Sequence, residues 1–516
     1  MMGGPNAKLS ESSCALLLGL AGFAALAFYL QQPINHDTAW YLAATPRLLD
    51  GARLYRDIIE INPPLAFYLT MPPILAARIT DLSADACFTT YVFLLGAASL
   101  TLANHLLARL PDASRTYRWG MLFAAFVAFA IMPMPFFGQR EHLTLILAMP
   151  YLLLVAVRVT GGSCGGRTAV LIGALAAAGL GLKPYFLIVP VLLEAYGMIV
   201  RRSLRFAFRP ETWALGTAIA LYVASIFLLT PDYVDFIVPM ASLVYGAYSA
   251  PLNAVIGSMP LLAFIVAILL YAVARAIRPA DRPTDILALA AVGFTAAYLM
   301  QSKGWLYQLI PAIAAVWLMG ASILLRNGVP NRGNAPLHVG VAILVYLLIA
   351  SQTILPYRNS LADDLLPVVH KQAAGGAISA LTSYVWVGFP LVNEAHVGWA
   401  SRFPGLWQLP GAVSQLRQPD SQNPGTRQKL LEIERYTVDA VVEDFQKAMP
   451  DLVIVDDDSP YFGPDGFDFL AYFNQDPRFA RLWQAYVRIG EASIDVGGDR
   501  RFEIWCRRYA GHDCAG

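Results

Sequence analysis

Charged residues are scarce in this sequence: they make up 14% of the 516 residues, while 57% are hydrophobic. Soluble domains carry about 25% charged residues, so the composition excludes an ordinary soluble enzyme and predicts a polytopic membrane protein. The net charge is +1 and no Lys/Arg-rich run occurs, which argues against a nucleic-acid-binding surface. The five cysteines form no C-x-x-C pair, so a zinc or thioredoxin-like site is not expected.

Long apolar segments are abundant instead. A helix needs about 17–25 apolar residues to cross a bilayer core of about 30 Å. Eleven segments reach or approach this length, and the first is interpreted as a retained helix rather than a signal peptide. The segments are residues 13–30, 87–108, 119–136, 143–160, 168–182, 184–200, 212–230, 255–277, 284–300, 305–325 and 337–356.

A twelfth segment, residues 64–78, is short and interrupted by Pro72 and Pro73. If it does not cross and the N-terminus is cytoplasmic, the arginine-rich loops all face the cytoplasm, as the positive-inside rule expects. The 231–253 loop on the opposite side has no Lys or Arg. We therefore predict eleven crossings of a bacterial inner membrane, with residues 64–78 as a juxtamembrane or re-entrant helix on the periplasmic side.

The apolar stretch from 168 to 200 is predicted to contain a break. One helix of this length would measure about 50 Å, which is too long for the bilayer. Two short helices joined by a tight turn at Lys183 and Pro184 return both flanking basic loops to the cytoplasm.

The composition changes after Pro356. The sequences YVWVGFP, RQKLLEIERYTVDAVVEDFQKAMP, DLVIVDDD and RFEIWCRR are typical of strand, helix, strand and strand. They predict a transmembrane domain over residues 1–356 and a small periplasmic α/β domain over residues 357–516. The spacing of Cys506 and Cys514 permits a disulfide in this oxidising compartment without requiring one.

Polar residues at the ends of the apolar segments fall mostly on the predicted outer face. Ionisable groups near the bilayer are costly and commonly line a site or a pathway, so together they predict an outward-facing polar cavity. The stretches concerned are residues 34–65, GQREHL at 138–143, Lys183, PDYVDF at 231–236 and QSKGWLYQLIP at 301–311.

Each of these residues also has a structural interpretation. Asp37 could cap the helix that follows it, and Glu60 could pair with an arginine at the surface. Lys183 and Lys303 could extend to lipid phosphates. Further structural interpretations are a boundary charge pair for Arg140 and Glu141, a solvated helix end for Asp232 and Asp235, and simple hydrogen bonding for His36 and His142. Their common side favours a functional interpretation.

The order of these stretches resembles the GT-C class of integral-membrane glycosyltransferases, especially protein O-mannosyltransferases and lipid A aminoarabinose transferases. The resemblance covers roughly residues 13–330. It is carried by Asp37 after the first apolar segment, the Gly turn LLDGARLY with EINPPLAFYL, FFGQREHLTLILAMPYLLL, AAAGLGLKPYFLIVP and QSKGWLYQLIPAIAA.

The resemblance implies that a sugar passes from a polyprenyl-phosphate donor to a hydroxyl of a lipid, glycan or protein acceptor outside the membrane, with inversion. Asp37 is then expected as the general base. Glu141 is expected to orient the acceptor or to help bind a divalent metal (Mg²⁺ or Mn²⁺). Cations are needed for the donor phosphate, and Lys183, Lys303 and Arg140 are the expected partners. The other expected substrate-binding residues are Glu60, His142, Tyr307 and Arg402.

The sequence departs from the family pattern at two positions. Asn62 stands where family members often have Lys before PPL, which moves phosphate recognition to other cations. Thr38 follows Asp37 where many members have a second acid, which puts a metal bridged by paired acids in doubt.

Two features of the C-terminal part remain open. Trp399, Trp407 and Arg402 could stack a sugar or could pack the domain onto the membrane part. The acids of DDD at 456–458 could bind a metal, but a solvated strand end is the favoured interpretation.

The main competing function is a transporter or flippase for a lipid-linked sugar or polysaccharide. Transporters commonly contain repeats and broken helices in matching positions, and the sequence contains no internal repeat. A non-catalytic assembly subunit would explain the C-terminal domain but would leave the polar residues of the membrane part without a role.

Overall fold

This computed structural model describes residues 10–257, 259–277, 281–327, 334–351, 355–418, 423–457, 459–462, 466–495, 499–509 and 514. The helices are α1 Glu11–Tyr29, α2 His36–Leu49, α3 Leu65–Ile79, α4 Ala84–Leu107, α5 Arg115–Ala130, α6 Arg140–Val159, α7 Gly166–Leu180, α8 Ile188–Arg201, α9 Pro210–Leu229, α10 Val238–Val244, α11 Leu252–Ile256, α12 Met259–Ile277, α13 Arg282–Gln301, α14 Ile310–Asn327, α15 Ala335–Ser351, α16 Ser360–Gln372, α17 Val385–Gly388, α18 Leu391–Ala395, α19 Leu409–Leu416, α20 Pro424–Ala448, α21 Phe469–Phe473 and α22 Pro477–Trp483. The strands are β1 Ala377–Leu381, β2 Gly398–Trp399, β3 Leu452–Asp456, β4 Tyr486–Asp495 and β5 Asp499–Arg507.

The chain forms two compact units. The first comprises the described parts of Met1–Gln32, Ala86–Val223 and Ala250–Pro356, and the second comprises those of Pro33–Asp85, Ala224–Ser249 and Tyr357–Gly516. One edge of the second unit coincides with the predicted boundary at residue 357. Two earlier segments also belong to that unit.

The protein is a multi-pass membrane protein by the length and composition of its helices. Among the described residues, eight helices are long and apolar enough to cross a membrane. They are Glu11–Tyr29, Ala84–Leu107, Arg140–Val159, Pro184–Arg201, Pro210–Leu229, Pro260–Ile277, Arg282–Gln301 and Leu306–Asn327. Each of the eleven predicted segments is occupied by a helix, while the number of crossings and their orientation stay predictions.

Helix α6 forms the centre of the first unit, where every residue except Arg158 is buried. It packs against α7, α8, α13 and α14. The Thr144 hydroxyl donates to the backbone oxygen of Gly179 at 2.8 Å, which ties α6 to α7. A Cβ at Gly179 would lie 2.8 Å from the Cβ of Leu147, so this close approach requires glycine.

The predicted break between residues 168 and 200 is confirmed. Helix α7 ends at Leu180, Lys183 is extended, and a 3₁₀ turn over Pro184–Leu187 leads into α8. The 119–136 helix ends earlier than predicted, at Ala130. Pro133 and Pro135 follow, and proline supplies no N–H to continue a helix. The short helix predicted over residues 64–78 is present as α3, which continues through Pro72 and Pro73; its juxtamembrane or re-entrant position stays a prediction.

The second unit contains a five-stranded sheet in the order β2-β1-β3-β5-β4. Strand β1 is parallel to both β2 and β3, whereas β5 runs antiparallel to β3 and β4. All five residues of β3 are buried, as is nearly all of β1. The predicted α/β character is therefore confirmed, with α20, β3 and β5 at the expected positions.

Three details of the C-terminal prediction need correction or completion. The strand expected at YVWVGFP is wrong: Val385–Gly388 is a helical turn, because tertiary packing overrides the β preference of these residues. Asp456 is not solvated but buried, where it accepts a hydrogen bond from the Thr382 hydroxyl at 2.9 Å. Asp457 is exposed and pairs with Arg501, and Asp458 lies outside the described residues.

The disulfide that the sequence permits is present in the structure. The sulfur atoms of Cys506 and Cys514 are joined. The bond ties strand β5, which contains Cys506, to the C-terminal residues that follow it.

Candidate functional site

The start of α6 is held by a tight turn and a buried histidine. Gly138 has a φ of 78°, and a Cβ there would lie 2.4 Å from the ring of Phe88, so the turn requires glycine. The Nδ1 atom of His142 accepts the Gly138 N–H at 3.0 Å, and its Nε2 atom therefore donates to the backbone oxygen of Phe129 at 2.8 Å. Both ring nitrogens of His142 are thus engaged within the fold.

A buried ion pair lies beside this turn. The Nζ atom of Lys183 is 2.5 Å from the Glu141 carboxylate, and both side chains are almost fully buried, at 8% and 0% exposure. Among the described residues, Lys183 is the one partner of that carboxylate. The pair joins the first turn of α6 to the junction after α7, two positions that are distant in sequence.

The ammonium group of Lys183 has further partners at the end of α13. It donates to the Oε1 atom of Gln301 at 2.9 Å and lies 5.4 Å from the ring centroid of Tyr307, within the range of a cation–π contact. Tyr307 also packs against Phe136 and stacks on Trp305. The structure therefore brings together Glu141, Lys183 and Tyr307 as predicted and adds Gln301.

Two further predicted cations are neighbours of this cluster in sequence. Arg140 is the first residue of α6 and is 8% exposed. Lys303 follows α13 by two residues, and burial lowers its pKa to about 8. Lys183, Arg140, Lys303 and Glu141 together have a net positive charge, which would suit an anionic ligand; that the three cations surround one ligand stays a prediction.

The Oε1 atom of Gln308 is a buried acceptor in the segment 301–311, which also contains Gln301, Lys303 and Tyr307. Gln308 is 2% exposed, and this oxygen has no hydrogen-bond partner within the described part of the chain. Unsatisfied buried polar atoms are uncommon in folded proteins. The site therefore contains hydrogen-bonding capacity that the fold leaves unused.

The second unit places Asp37 in the first turn of α2. Asn35, not Asp37, caps this helix, because its side-chain oxygen accepts the Asp37 N–H at 3.1 Å. The structural interpretation of Asp37 as the cap is therefore wrong. Its carboxylate lies 3.7 Å from Nε2 of His36, with 23% of the side chain exposed.

His36 itself has a second partner at the start of the C-terminal segment. Its Nδ1 atom lies 3.0 Å from the hydroxyl of Tyr357. Burial lowers the pKa of His36, although the neighbouring Asp37 opposes this effect.

Glu60 is 4% exposed and has no role as a solvated surface acid. It accepts hydrogen bonds from Trp40 Nε1 at 2.8 Å and from the backbone N–H of Asn62 at 2.9 Å. These contacts shape the EINPP turn, so Glu60 holds the loop that precedes α3.

Arg402 is bound to helix α20. It contacts the carboxylates of Asp444 at 2.9 Å and Glu443 at 2.8 Å. Trp399 donates its indole N–H to the backbone oxygen of Phe403, and Trp407 is 6% exposed. These contacts are internal to the second unit. That Asp37, Glu60 and Arg402 share a cavity with Lys183 stays a prediction.

The sequence interpretation missed Gln301 and Tyr357. Gln301 is difficult to recognise as a site residue from the sequence, because only its position next to a charged turn distinguishes it from other glutamines at helix ends. In the described ranges, no group of three or more His, Cys, Asp or Glu side chains is placed to hold a metal ion.

Comparison with known proteins agrees with this architecture. A scan against protein-family models and a search of curated proteins found no match. Among solved structures, ArnT from Cupriavidus metallidurans bound to undecaprenyl phosphate is 12% identical with a TM-score of 0.58, covering 98% of this chain and all of that one. Its apo structure gives 12% identity and a TM-score of 0.55, with 98% and 99% covered.

The arabinofuranosyltransferase AftD from Mycobacteria is 14% identical with a TM-score of 0.46, covering 98% of this chain and 40% of that one. At these identities the ArnT likeness is one of fold, and it extends over both units. The chain has the GT-C-like fold of ArnT, as the order of its sequence motifs predicts.

Proposed function

We propose that the protein is a membrane glycosyltransferase that moves a sugar from a polyprenyl-phosphate donor to a hydroxyl acceptor, with inversion at the sugar. The observation that carries this proposal is the buried cluster in which the Lys183 ammonium group contacts Glu141 and Gln301, with two further cations, Arg140 and Lys303, close to it in sequence. The fold of ArnT, whose structure contains undecaprenyl phosphate, supports the same class of donor.

The donor phosphate is assigned to the cations of the first unit. As the bond between the sugar C1 and the phosphate oxygen breaks, negative charge develops on the leaving polyprenyl phosphate. Lys183, Arg140 and Lys303 offset this charge, and arginine can contact two phosphate oxygens at once. Tyr307 supports the ammonium group of Lys183 from one side and can donate its hydroxyl to the phosphate.

The acceptor is assigned to Asp37. The acceptor oxygen attacks C1 from the face opposite the phosphate, and its proton passes to the Asp37 carboxylate. One C–O bond forms as the other breaks, so no covalent enzyme intermediate is needed.

The remaining predicted residues are assigned to positioning. Glu141 orients Lys183 through the ion pair, and His142 holds the turn that precedes Arg140. We also propose that the acceptor site faces the periplasm in a bacterial inner membrane, because the arginine-rich loops then face the cytoplasm.

Asp37→Asn in the purified full chain tests the base. The chain is supplied with polyprenyl-phosphate-linked sugars and a membrane extract as acceptor, and released polyprenyl phosphate is measured by mass spectrometry. We expect turnover to fall about 10²- to 10⁴-fold, as for loss of a general base. Asp81→Asn serves as control, because Asp81 is an exposed acid of the same unit and lies outside the stretches predicted to line the cavity.

Two outcomes contradict the proposal. Full turnover in the Asp37→Asn variant would remove Asp37 from the base role. A wild-type protein that moves the intact lipid-linked sugar across liposome membranes without releasing polyprenyl phosphate would instead be a transporter.

A further inference from the structure

A long apolar groove runs between α1, α4 and α5 of the first unit. It has a volume of about 460 Å³, roughly three times that of an engineered 150 Å³ cavity that binds benzene. From Thr90 to Asn104 it follows α4 for roughly 20 Å at 1.5 Å per residue. Phe23 and Leu94 line it and are 71% and 64% exposed, so it is accessible from the lipid phase.

Glycines keep the groove open. Gly19 and Gly22 of α1 line it, and a Cβ added at either would meet no atom within 4 Å. Glycine costs a helix interior about 1 kcal/mol relative to alanine. Two glycines three residues apart on the groove-lining face of a helix therefore maintain space at the expense of helix stability.

One end of the groove contains polar atoms without partners. The indole Nε1 of Trp119 and the side-chain Oδ1 of Asn104 are buried and have no hydrogen-bond partner among the described residues. Trp119 is 8% exposed, and both residues line the groove. A buried indole N–H ordinarily finds an acceptor, so a ligand with an acceptor atom at this depth would complete the site.

The surroundings of that end are basic. Arg109 and Arg115 are exposed on either side of the short connection between α4 and α5. The guanidinium of Arg118 pairs with Glu11 at the start of α1 and lies 5.8 Å from the Trp119 ring. An amphiphile whose chain fills the groove would therefore place an anionic headgroup near arginines.

We propose that the groove binds one acyl chain of an anionic glycerophospholipid. The ester carbonyl accepts the hydrogen bond of Trp119 Nε1, and the phosphate lies near Arg109 and Arg115. The site is distinct from the Lys183 cluster, because Trp119 and Asn104 lie at the opposite end of the groove from His142. It does not depend on the proposed glycosyl transfer.

The polar end of the groove distinguishes this ligand from a polyprenyl chain. A polyprenyl phosphate has acceptor atoms on its phosphate alone. A glycerophospholipid adds ester carbonyls between the phosphate and the acyl chain, so one carbonyl can accept the Trp119 N–H while the phosphate lies near Arg109 and Arg115. A second cavity of about 310 Å³ between α5, α14 and α15 has no such requirement. The indole N–H of Trp317 that lines it already donates to the backbone oxygen of Ala124 at 2.8 Å.

Native mass spectrometry of the delipidated full chain tests the proposal. Dioleoyl phosphatidylglycerol is titrated into wild type and into Gly22→Leu and Gly19→Leu, in which the new side chain occupies the groove. We expect one tightly bound lipid in wild type and affinity at least about tenfold weaker in both variants. Ala321→Leu, which fills the second cavity, is the matched control and is expected to bind as wild type does.

Trp119→Phe separates the polar contact from the shape of the groove. The loss of one neutral hydrogen bond is expected to weaken phosphatidylglycerol binding about three- to tenfold. Quenching by a brominated-chain phosphatidylglycerol gives a second measurement. The brominated lipid should quench the tryptophan fluorescence of wild type more than that of Trp119→Phe. This measurement does not depend on the folding of the glycine variants.

The proposal is overturned if both glycine variants bind phosphatidylglycerol as wild type does. It is equally overturned if undecaprenyl phosphate displaces the bound lipid one for one and Trp119→Phe has no effect on either ligand. The groove would then belong to the donor lipid.

Discussion

The two ends of α6 carry buried ion pairs that differ in how fully they are satisfied. At the C-terminal end, Arg158 contacts both carboxylate oxygens of Glu211, at 2.9 and 3.1 Å, and Arg209 approaches the same acid at 3.4 Å. Glu194 accepts hydrogen bonds from Tyr151 and Arg209 beside them. At the N-terminal end, the carboxylate of Glu141 has Lys183 as its one partner among the described residues.

We propose that this difference separates structural charge from functional charge within one helix. The attraction within a buried ion pair offsets the cost of desolvating its two charges only when further hydrogen bonds satisfy the remaining polar atoms. The Glu211 carboxylate meets this condition, because Arg158 donates to both of its oxygens. Its network holds α6, α8 and α9 together, although Oε2 of Glu194 and Nη1 of Arg209 have no hydrogen-bond partner among the described residues. The Glu141 carboxylate meets it poorly, because neither of its oxygens has a hydrogen-bond partner within the described part of the chain and Lys183 is its one ion-pair partner there.

At the N-terminal end of α6, where Glu141 has few partners, Lys183→Met should have the largest effect on activity. It removes the central cation for the donor phosphate, so kcat/KM should fall about 10²- to 10³-fold, as for loss of one transition-state donor. It also leaves Glu141 buried without a partner, which lowers stability. Donor turnover and the thermal unfolding midpoint are both measured.

The double variant Lys183→Met/Glu141→Gln separates these two effects. Removal of both charges should restore most of the stability while activity stays low. If activity returned together with stability, Lys183 would have a structural role like that of Arg158, and the contrast between the two ends would fail.

Glu211→Gln tests the densely partnered end. Arg158 and Arg209 lose a fully buried partner, and breaking such a pair costs about 3–5 kcal/mol. We expect a large loss of the free energy of unfolding, with near-normal kcat/KM in the protein that remains folded. Glu11→Gln is the control, since Glu11 is 59% exposed in its pair with Arg118 and such pairs contribute little.

The charge of Lys303 provides a pH test of the same comparison. Burial lowers its pKa to about 8, so the side chain is charged below pH 8 and loses its proton as the pH rises through that value. Donor kcat/KM should therefore fall above pH 8, by up to about tenfold for a lost charged contact. In Lys303→Arg the guanidinium stays charged, and the fall should disappear between pH 7 and 9.5.

The sequence predicts the positions of the helices and one side of the site well. Helix length against bilayer thickness is a strong constraint, which is why the break at Lys183 could be predicted. The positive-inside rule, applied to the loop arginines, predicts that Glu141, Lys183 and Tyr307 lie at the same face of the membrane. The structure brings these three together.

The rest of the site depends on contacts between residues that are distant in sequence. Arg402 was assigned to substrate, yet it pairs with acids 41 and 42 positions away, and no local pattern encodes such a pairing. The role of His142 follows from the positive φ of Gly138 and from the position of the Phe129 oxygen. These are properties of the folded backbone, so the sequence alone shows only a histidine near a helix start.

Gln301→Leu should give the smallest effect, because it removes a neutral acceptor and leaves the ion pair intact. The Oε1 atom of Gln301 holds the Lys183 ammonium at 2.9 Å, and its amide is fixed by the backbone oxygen of Ala297. Loss of this bond should raise the donor KM about two- to tenfold with little change in kcat. Gln301→Glu is the informative partner variant: a second carboxylate beside Lys183 competes with the donor phosphate, so its KM should rise further than in Gln301→Leu. An equal KM in the two variants would mean that the ammonium group does not bind phosphate.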